Sequence, residues 1–239
     1  MKDKEVSHIE KNLMTSGSIW KTIVLFAIPL IFGNLLQQTY NTIDSMIVGN
    51  YVGSNALAAV GSSTALINLF ISFAQGISVG SGIIVAQSLG SNKLKDVKLS
   101  VHTSLAIALV LGAIISILGY IFAPWLLMKM ETPKEVVAES IDYLRVFSMG
   151  LIFNVLYNME AGILNAVGNS KRSLLYLAIA SMINVILDIL FIEFFAMGVS
   201  GAAIATNISQ GLSALLALLF LMREIGRASC RERVSRVVV

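Results

Sequence analysis

Six long apolar stretches organise the chain, at about 20–48, 54–89, 99–127, 137–167, 172–195 and 199–222. Each is periodic and too long for a buried strand, and each can supply the roughly 20 residues that a helix needs to cross a bilayer. The connectors are Gly49 to Gly53, Gly90 to Lys98, Lys129 to Lys134, Gly168 to Arg172 and Met197 to Gly201. Gly, Asn, Ser and Pro dominate them, as turns require. The pattern predicts an all-α integral membrane protein built as a bundle of six transmembrane helices.

The first stretch breaks the apolar rule. Asn34, Gln37, Asn41 and Asp44 recur at steps of three, four and three, which lines them up as one stripe on a helix. Ile31, Leu35, Ile43 and Met46 occupy the opposite side. Unpaired polar groups are costly in hydrocarbon, so the stripe is expected to face other helices or a wet cavity. An earlier end of this helix, near Thr39, would instead leave Asp44 outside the membrane.

Composition agrees with a membrane assignment. Of 239 residues, 56% are hydrophobic and 13% charged, and the mean hydropathy is +0.81. A soluble domain carries nearer a quarter charged residues. The net charge of +3 is small and sits in the connectors, which argues against a nucleic-acid partner. A single cysteine, Cys230, excludes an intrachain disulfide. Residues 1–19 are polar and Lys-rich, without a short apolar core and cleavage site, and read as a cytoplasmic N-terminal segment.

Basic residues fix the expected orientation. The N-terminal segment and the start of the first stretch hold Lys2, Lys4, Lys11 and Lys21, the second connector Lys93, Lys95 and Lys98, and the fourth Lys171 and Arg172. The first and fifth connectors have no Lys or Arg, and the third offsets Lys129 and Lys134 with Glu131 and Glu135. This alternation is the positive-inside pattern of a multi-pass cell-membrane protein, with both termini cytoplasmic. Residues 223–239 stand apart. They use five Arg and no Lys, where the preceding chain uses ten Lys and two Arg. The run from Glu224 to Val234 resembles a translated sequencing adaptor, so the tail reads as non-native and 20–222 as the folded unit.

Few ionisable residues fall inside the stretches: Asp44, His102, Arg145, Glu160, Asp188 and Glu193. His102 follows the basic second connector, and Arg145 and Glu193 lie near outer ends where long side chains reach the headgroups. Glu160 reads as an interhelical partner, with a functional role as the alternative. Asp44 and Asp188 each lie about one turn, ~6 Å, below the outer end of an outward-running helix. The topology therefore places both carboxylates in one outer layer. Asn184 shares a face with Asp188, Thr206 falls in the outer half of the last helix, and Tyr143, Asn154 and Asn158 share a face of the fourth. An oxygen-rich set of this kind suits Na⁺ or protons. Singly, each amide is as readily explained as interhelical glue. The small residues Ser78 to Gly82 read as a site of close helix packing.

Several motifs resemble the multidrug and toxic compound extrusion (MATE) transporters. They are Pro29-Leu-Ile with Asp44 and Val48-Gly49, Ala56-Leu-Ala-Ala-Val-Gly61, Ala86-Gln-Ser-Leu-Gly90, Gly168-Asn-Ser-Lys171 and Gly198-Val-Ser-Gly-Ala-Ala-Ile-Ala-Thr206. The likeness runs from about residue 15 to 222. It implies one lobe of a two-lobed, twelve-helix transporter, so a C-terminal lobe is the expected partner. It also implies secondary active efflux of small organic cations driven by Na⁺ or H⁺ entry, from within membrane lipid and with no cofactor beyond that ion. The family's cation-coupling site, able to hold Na⁺, maps onto Asp44, Asn184, Asp188 and Thr206. Gln37, Tyr143, Asn154 and Asn158 map onto the cavity lining, and Pro29 onto a proline at which the first helix bends. Two other readings are weighed against this one. A lipid-linked oligosaccharide flippase of the same superfamily would carry more cationic residues in its cavity. An intramembrane aspartyl protease would use Asp44 and Asp188, but neither sits in a Tyr-Asp or Gly-x-Gly-Asp setting, and the chain is expected not to be an enzyme.

Overall fold

The computed structural model describes residues 19–91 and 93–237, apart from the side chains of residues 19, 21, 22, 26, 94 and 225–237. The expected cytoplasmic segment up to residue 18, and the tail side chains beyond Glu224, lie outside the described residues. The helices are α1 (Ile19–Tyr51), α2 (Ser54–Gly90), α3 (Leu94–Lys129), α4 (Val137–Met149), α5 (Leu151–Ala166), α6 (Ser170–Ile189) and α7 (Gly198–Val237). A π-helical segment, Leu190–Phe194, extends α6. Among the described residues, five helices are long and apolar enough to cross a membrane, and the α4–α5 pair, bent by 49°, makes a sixth if counted as one span.

Packing places α5 at the centre of the bundle, against α2, α3 and α7, while α6 bridges α1 and α7. Small residues let the axes approach. A Cβ added at Gly82 would meet the Gly162 carbonyl oxygen at 3.2 Å, and one at Gly112 would meet the Ile152 Cα at 3.0 Å. Ser78 Oγ donates to the Asn158 carbonyl at 2.5 Å across the α2–α5 contact. Without water to favour burial of apolar surface, such contacts and interhelical hydrogen bonds hold spans together. The outer surface is apolar. Phe32, Leu69, Phe73, Ile121, Trp125, Met182 and Ile186 are all exposed, a surface that suits lipid and protein neighbours rather than water.

The fourth stretch departs from the sequence reading, which expects one helix over 137–167. It breaks at Gly150, although it holds no proline. Gly150 N–H turns to the Phe147 carbonyl at 3.0 Å, which strips the Val146 carbonyl of its intrahelical donor. Asn207 Nδ2 of α7 supplies a replacement at 2.7 Å. The freed N–H of Ile152 finds Ser116 Oγ of α3 at 3.0 Å. Backbone groups opened in a membrane helix must be satisfied from neighbouring helices, and here two polar side chains do so. A Cβ at position 150 would collide with the Asn207 side chain. Asn207→Ala should therefore lower thermal stability by about 1–2 kcal/mol, the cost of orphaning one buried carbonyl in such a bundle. A melting curve that matches the unmodified chain would remove this account of the bend.

Candidate functional site

α1 runs as a helix through Asp44 to Tyr51, so Asp44 lies within the helix rather than beyond an early end at Thr39. The stripe on α1 does not face one way. Tyr40, Asp44, Ile47 and Val48 form the buried line, Gln37 is half-buried, and Asn34 and Asn41 are exposed. α1 packs against α6, and Asp44 on the buried line meets Asp188 of that helix. The expectation that all four polar residues share a sheltered face is thus corrected for Asn41.

Asp44 and Asp188 come together. Asp188 is 0% exposed and Asp44 8%, and their carboxyls lie within hydrogen-bonding reach of each other. Neither oxygen of Asp188, nor Oδ1 of Asp44, meets a donor among the described residues. A hydrogen bond between two carboxyls requires a proton on one of them. Two ionised carboxylates buried side by side would repel with nothing to offset their lost hydration. The pair can therefore take up a proton or a cation.

Neutral oxygens complete the surroundings. Asn184 Nδ2 donates to Thr206 Oγ1 at 3.4 Å, which leaves Asn184 Oδ1 unpartnered. Tyr143 and Tyr40 both lie close enough to the two carboxylates to feel their charge. Gln210 Nε2 donates to the Tyr40 hydroxyl at 3.3 Å, and Gln210 Oε1 is left without a partner. A small void of about 10 Å³ lies among Tyr40, Ser181, Asn184, Thr206, Ser209 and Gln210. That is room for about one water or one dehydrated ion. The described residues hold no group of three or more His, Cys, Asp or Glu able to take a metal ion. Two carboxylates with amide and hydroxyl oxygens match a hard monovalent cation such as Na⁺, or a proton, by donor type.

Sequence reasoning missed Tyr40, Gln210 and Ser209. The signal was present: Tyr40 lies four residues before Asp44, and Gln210 four after Thr206, each on the same face as its neighbour.

A second, larger cavity of about 270 Å³ lies between α1, α2, α5 and α6. Its wall includes Pro29, Asn34, Gln37, Ser78, Tyr157, Asn158, Asn165 and Ser173, and none of its lining residues is Asp, Glu, Lys, Arg or His. Gln37 and Asn158 are among the residues that line this cavity. Asn154 is not. It is buried, and its carbonyl and side-chain oxygens accept from Asn158 Nδ2 at 2.8 and 2.9 Å. Tyr143 stands with the carboxylate pair rather than in this cavity. Pro29 lies on the cavity wall within α1. Of the other ionisable residues, His102 and Glu193 are exposed, and the Arg145 guanidinium stacks 5.4 Å from the Tyr120 ring centroid. Glu160 is not the interhelical partner expected from the sequence: it is fully buried, and neither carboxyl oxygen has a partner among the described residues.

A family model described as MatE matches residues 29–190. The chain belongs to the MATE family. Two Bacillus subtilis relatives of this MATE chain carry the name probable multidrug resistance protein. YpnP is 31% identical over 209 residues, covering 87% of this chain and 47% of its own length. YoeA is 33% identical over 210 residues, covering 86% and 45%. The fold matches a MATE crystal structure in the bent conformation, with a TM-score of 0.79 and 32% identity over 84% of this chain and 45% of the other. An outward-facing MATE multidrug resistance transporter gives a TM-score of 0.78 at 32% identity, over 84% of this chain and 44% of its own. An inward-facing one gives 0.73 at 28% identity, over 90% and 45%. The chain thus spans about half the length of the relatives it matches, and its six spans correspond to one lobe of their fold.

Proposed function

We propose that this chain is the N-terminal lobe of a secondary active transporter that exports small organic cations or drugs in exchange for Na⁺ or H⁺. The observation that carries the reading is the buried Asp44–Asp188 pair, set beside Asn184 and Thr206 and lacking any donor for Asp188. A cation entering from outside neutralises the pair, and the empty, charged pair is favoured only where water reaches it. Ion binding therefore shifts the lobe between arrangements by the difference in its affinity for them. Relatives solved in outward-facing and inward-facing forms support two such arrangements. Pro29, which has no backbone N–H to give the Leu25 carbonyl, lets α1 bend at that point in this reading, and one relative has been solved in a bent conformation. In this reading both termini face the cytoplasm, residues 223–239 lie outside the lobe, and a second lobe forms the opposite wall of the substrate path, since alternating access requires two units moving against each other.

The larger cavity argues against the flippase reading, because no Lys, Arg or His among the described residues lines it to hold a phosphate. The chemistry of the site is ion exchange, and no bond is made or broken, so the chain is not an enzyme in this account. The test reconstitutes the full-length transporter in vesicles and imposes a Na⁺ or H⁺ gradient. A fluorescent organic cation should move uphill against one of the two gradients and stop when an ionophore collapses it. Equal movement without a gradient, or movement of a lipid-linked sugar instead, would overturn the assignment.

A further inference from the structure

Glu160 is a buried titratable group that the coupling site does not use. It lies on α5, seventeen residues beyond Tyr143 on the same bent span, or about 25 Å of helix from the carboxylate pair. It is 0% exposed, and neither carboxyl oxygen has a hydrogen-bond partner among the described residues.

The surrounding helices offer little to pair with it. α2 contains no titratable residue, and α7 contains none before Arg223. α3 carries Lys95, Asp96, Lys98 and His102 in its first turns, and Tyr120 and Lys129 toward its far end. α4 carries Glu139, Asp142, Tyr143 and Arg145, at the carboxylate-pair end of the bent span. α6 brings Lys171, Arg172, Tyr176 and Asp188, and the Arg172 guanidinium sits over the Phe220 ring at 4.9 Å. On the same face of α5, two turns from Glu160, Phe153 packs against Gly211 of α7. The same line continued along α7 reaches the buried Ala214 and Ala217. An ionised carboxylate without a partner in such surroundings costs several kcal/mol. The arrangement seen here therefore accommodates Glu160 as the neutral acid.

A polar cavity nevertheless runs alongside it. Tyr157, one turn before Glu160 on α5, donates its hydroxyl to the Ser173 carbonyl at 3.0 Å and lines the 270 Å³ cavity, as do Ser173 and Ala161, the residue that follows Glu160. Glu160 is thus one helical turn behind a wall of that cavity, with a hydroxyl at the boundary.

We propose that Glu160 is a second proton-binding site of the lobe, distinct from the Asp44–Asp188 pair, which exchanges its proton with water in the large cavity past Tyr157. The exchange is a plain protonation: the carboxylate takes one proton from water and returns it when the cavity hydrates the site. The carboxylate pair and Glu160 are then loaded from different depths of the bundle.

The test uses infrared difference spectroscopy of the full 239-residue chain in lipid nanodiscs, titrated across the pH range in which it stays folded. Of the other described Glu residues, 131, 135, 193 and 224 are exposed, and Glu139 is half-buried with Oε2 shielded, so a buried acid band that shifts with glutamate-specific ¹³C-carboxyl labelling and persists in a Glu139→Gln chain reports Glu160. That band should be present at low pH and lost as pH rises. Glu160→Gln should remove it, and the Asp44→Asn/Asp188→Asn double variant should retain it. The labelled Glu139→Gln chain, with Glu160 intact, gives the answer even if Glu160→Gln fails to fold. A labelled band of constant intensity at every pH would make Glu160 a fixed structural acid and overturn the proposal, as would the absence of any such band. A labelled band that disappears in the Asp double variant would make Glu160 protonation depend on the carboxylate pair rather than form a distinct site, and would equally overturn it.

Discussion

Replacing Asp188 by Asn in the full-length transporter is expected to abolish ion-driven efflux, as is Asp44→Asn, while membrane expression stays near that of the unmodified protein. Asn has the size and shape of Asp but neither carries a proton at the relevant pH nor offers a negative charge to Na⁺. Packing should survive, because the two side chains have the same shape and Asn184, four residues before Asp188 on the same helix face, already places an amide in this buried layer. What disappears is the drive. One ion entering down a potential of 100 mV supplies about 2.3 kcal/mol, enough for roughly a 50-fold gradient of uncharged cargo. For a monovalent organic cation leaving in exchange for one such ion, the charge movements cancel, and the concentration gradient of the ion alone must drive export. Both substitutions should therefore reduce gradient-driven dye efflux from vesicles to the passive leak. Efflux at half the original rate or better in either variant would place the coupling ion elsewhere.

Gly162→Leu is expected to cost the most stability. The α2–α5 contact has no room for a side chain there, since a Cβ would run into Ser78 Oγ and lie 2.9 Å from the Ser78 carbonyl oxygen. The obstruction includes backbone, so it cannot rotate away. Separating the helices would also break the hydrogen bond from Ser78 to the Asn158 carbonyl, and with it the wall of the large cavity. Overpacking of this kind costs about 1–3 kcal/mol or more, to which a buried interhelical hydrogen bond adds about 0.6–1.7. The chain should lose its sharp thermal transition. The smaller Gly162→Ala should be less severe, and adding Ser78→Gly should rescue part of that loss by removing the hydroxyl but not the carbonyl. A Gly162→Leu chain that melts like the original would show that α2 and α5 are not closely packed at this point.

Much of this architecture was legible in the sequence because lipid imposes simple rules. A span must be long and apolar, so the segments could be counted. The meeting of Asp44 and Asp188 followed from two helices of the same direction carrying carboxylates at matched depth. Three features were not legible. The break at Gly150 needs no proline, and its stabilisers, Ser116 and Asn207, come from helices 34 positions before it and 57 after it in the sequence. Along α1, Tyr40 is buried while Asn41 is exposed, although hydropathy alone favours the reverse description of a polar stripe. Asn154 and Asn158 share a helix face, as spacing required, but they bond to each other rather than both opening to a cavity. Periodicity identifies the face of a helix; it does not say which of two neighbouring faces meets a partner.

The most direct test of the central claim is a count of ions released when substrate binds. The full-length transporter, saturated with the coupling ion in detergent at weak buffering, would be mixed with a tightly binding organic cation. Released protons would be followed with a pH dye and released Na⁺ with a selective electrode. If the Asp44–Asp188 pair with Asn184 and Thr206 holds the coupling ion, the unmodified protein should release one of these ions in fixed ratio to bound substrate, and the Asp44→Asn/Asp188→Asn double variant should release none. The same release from the double variant would contradict the assignment of the site.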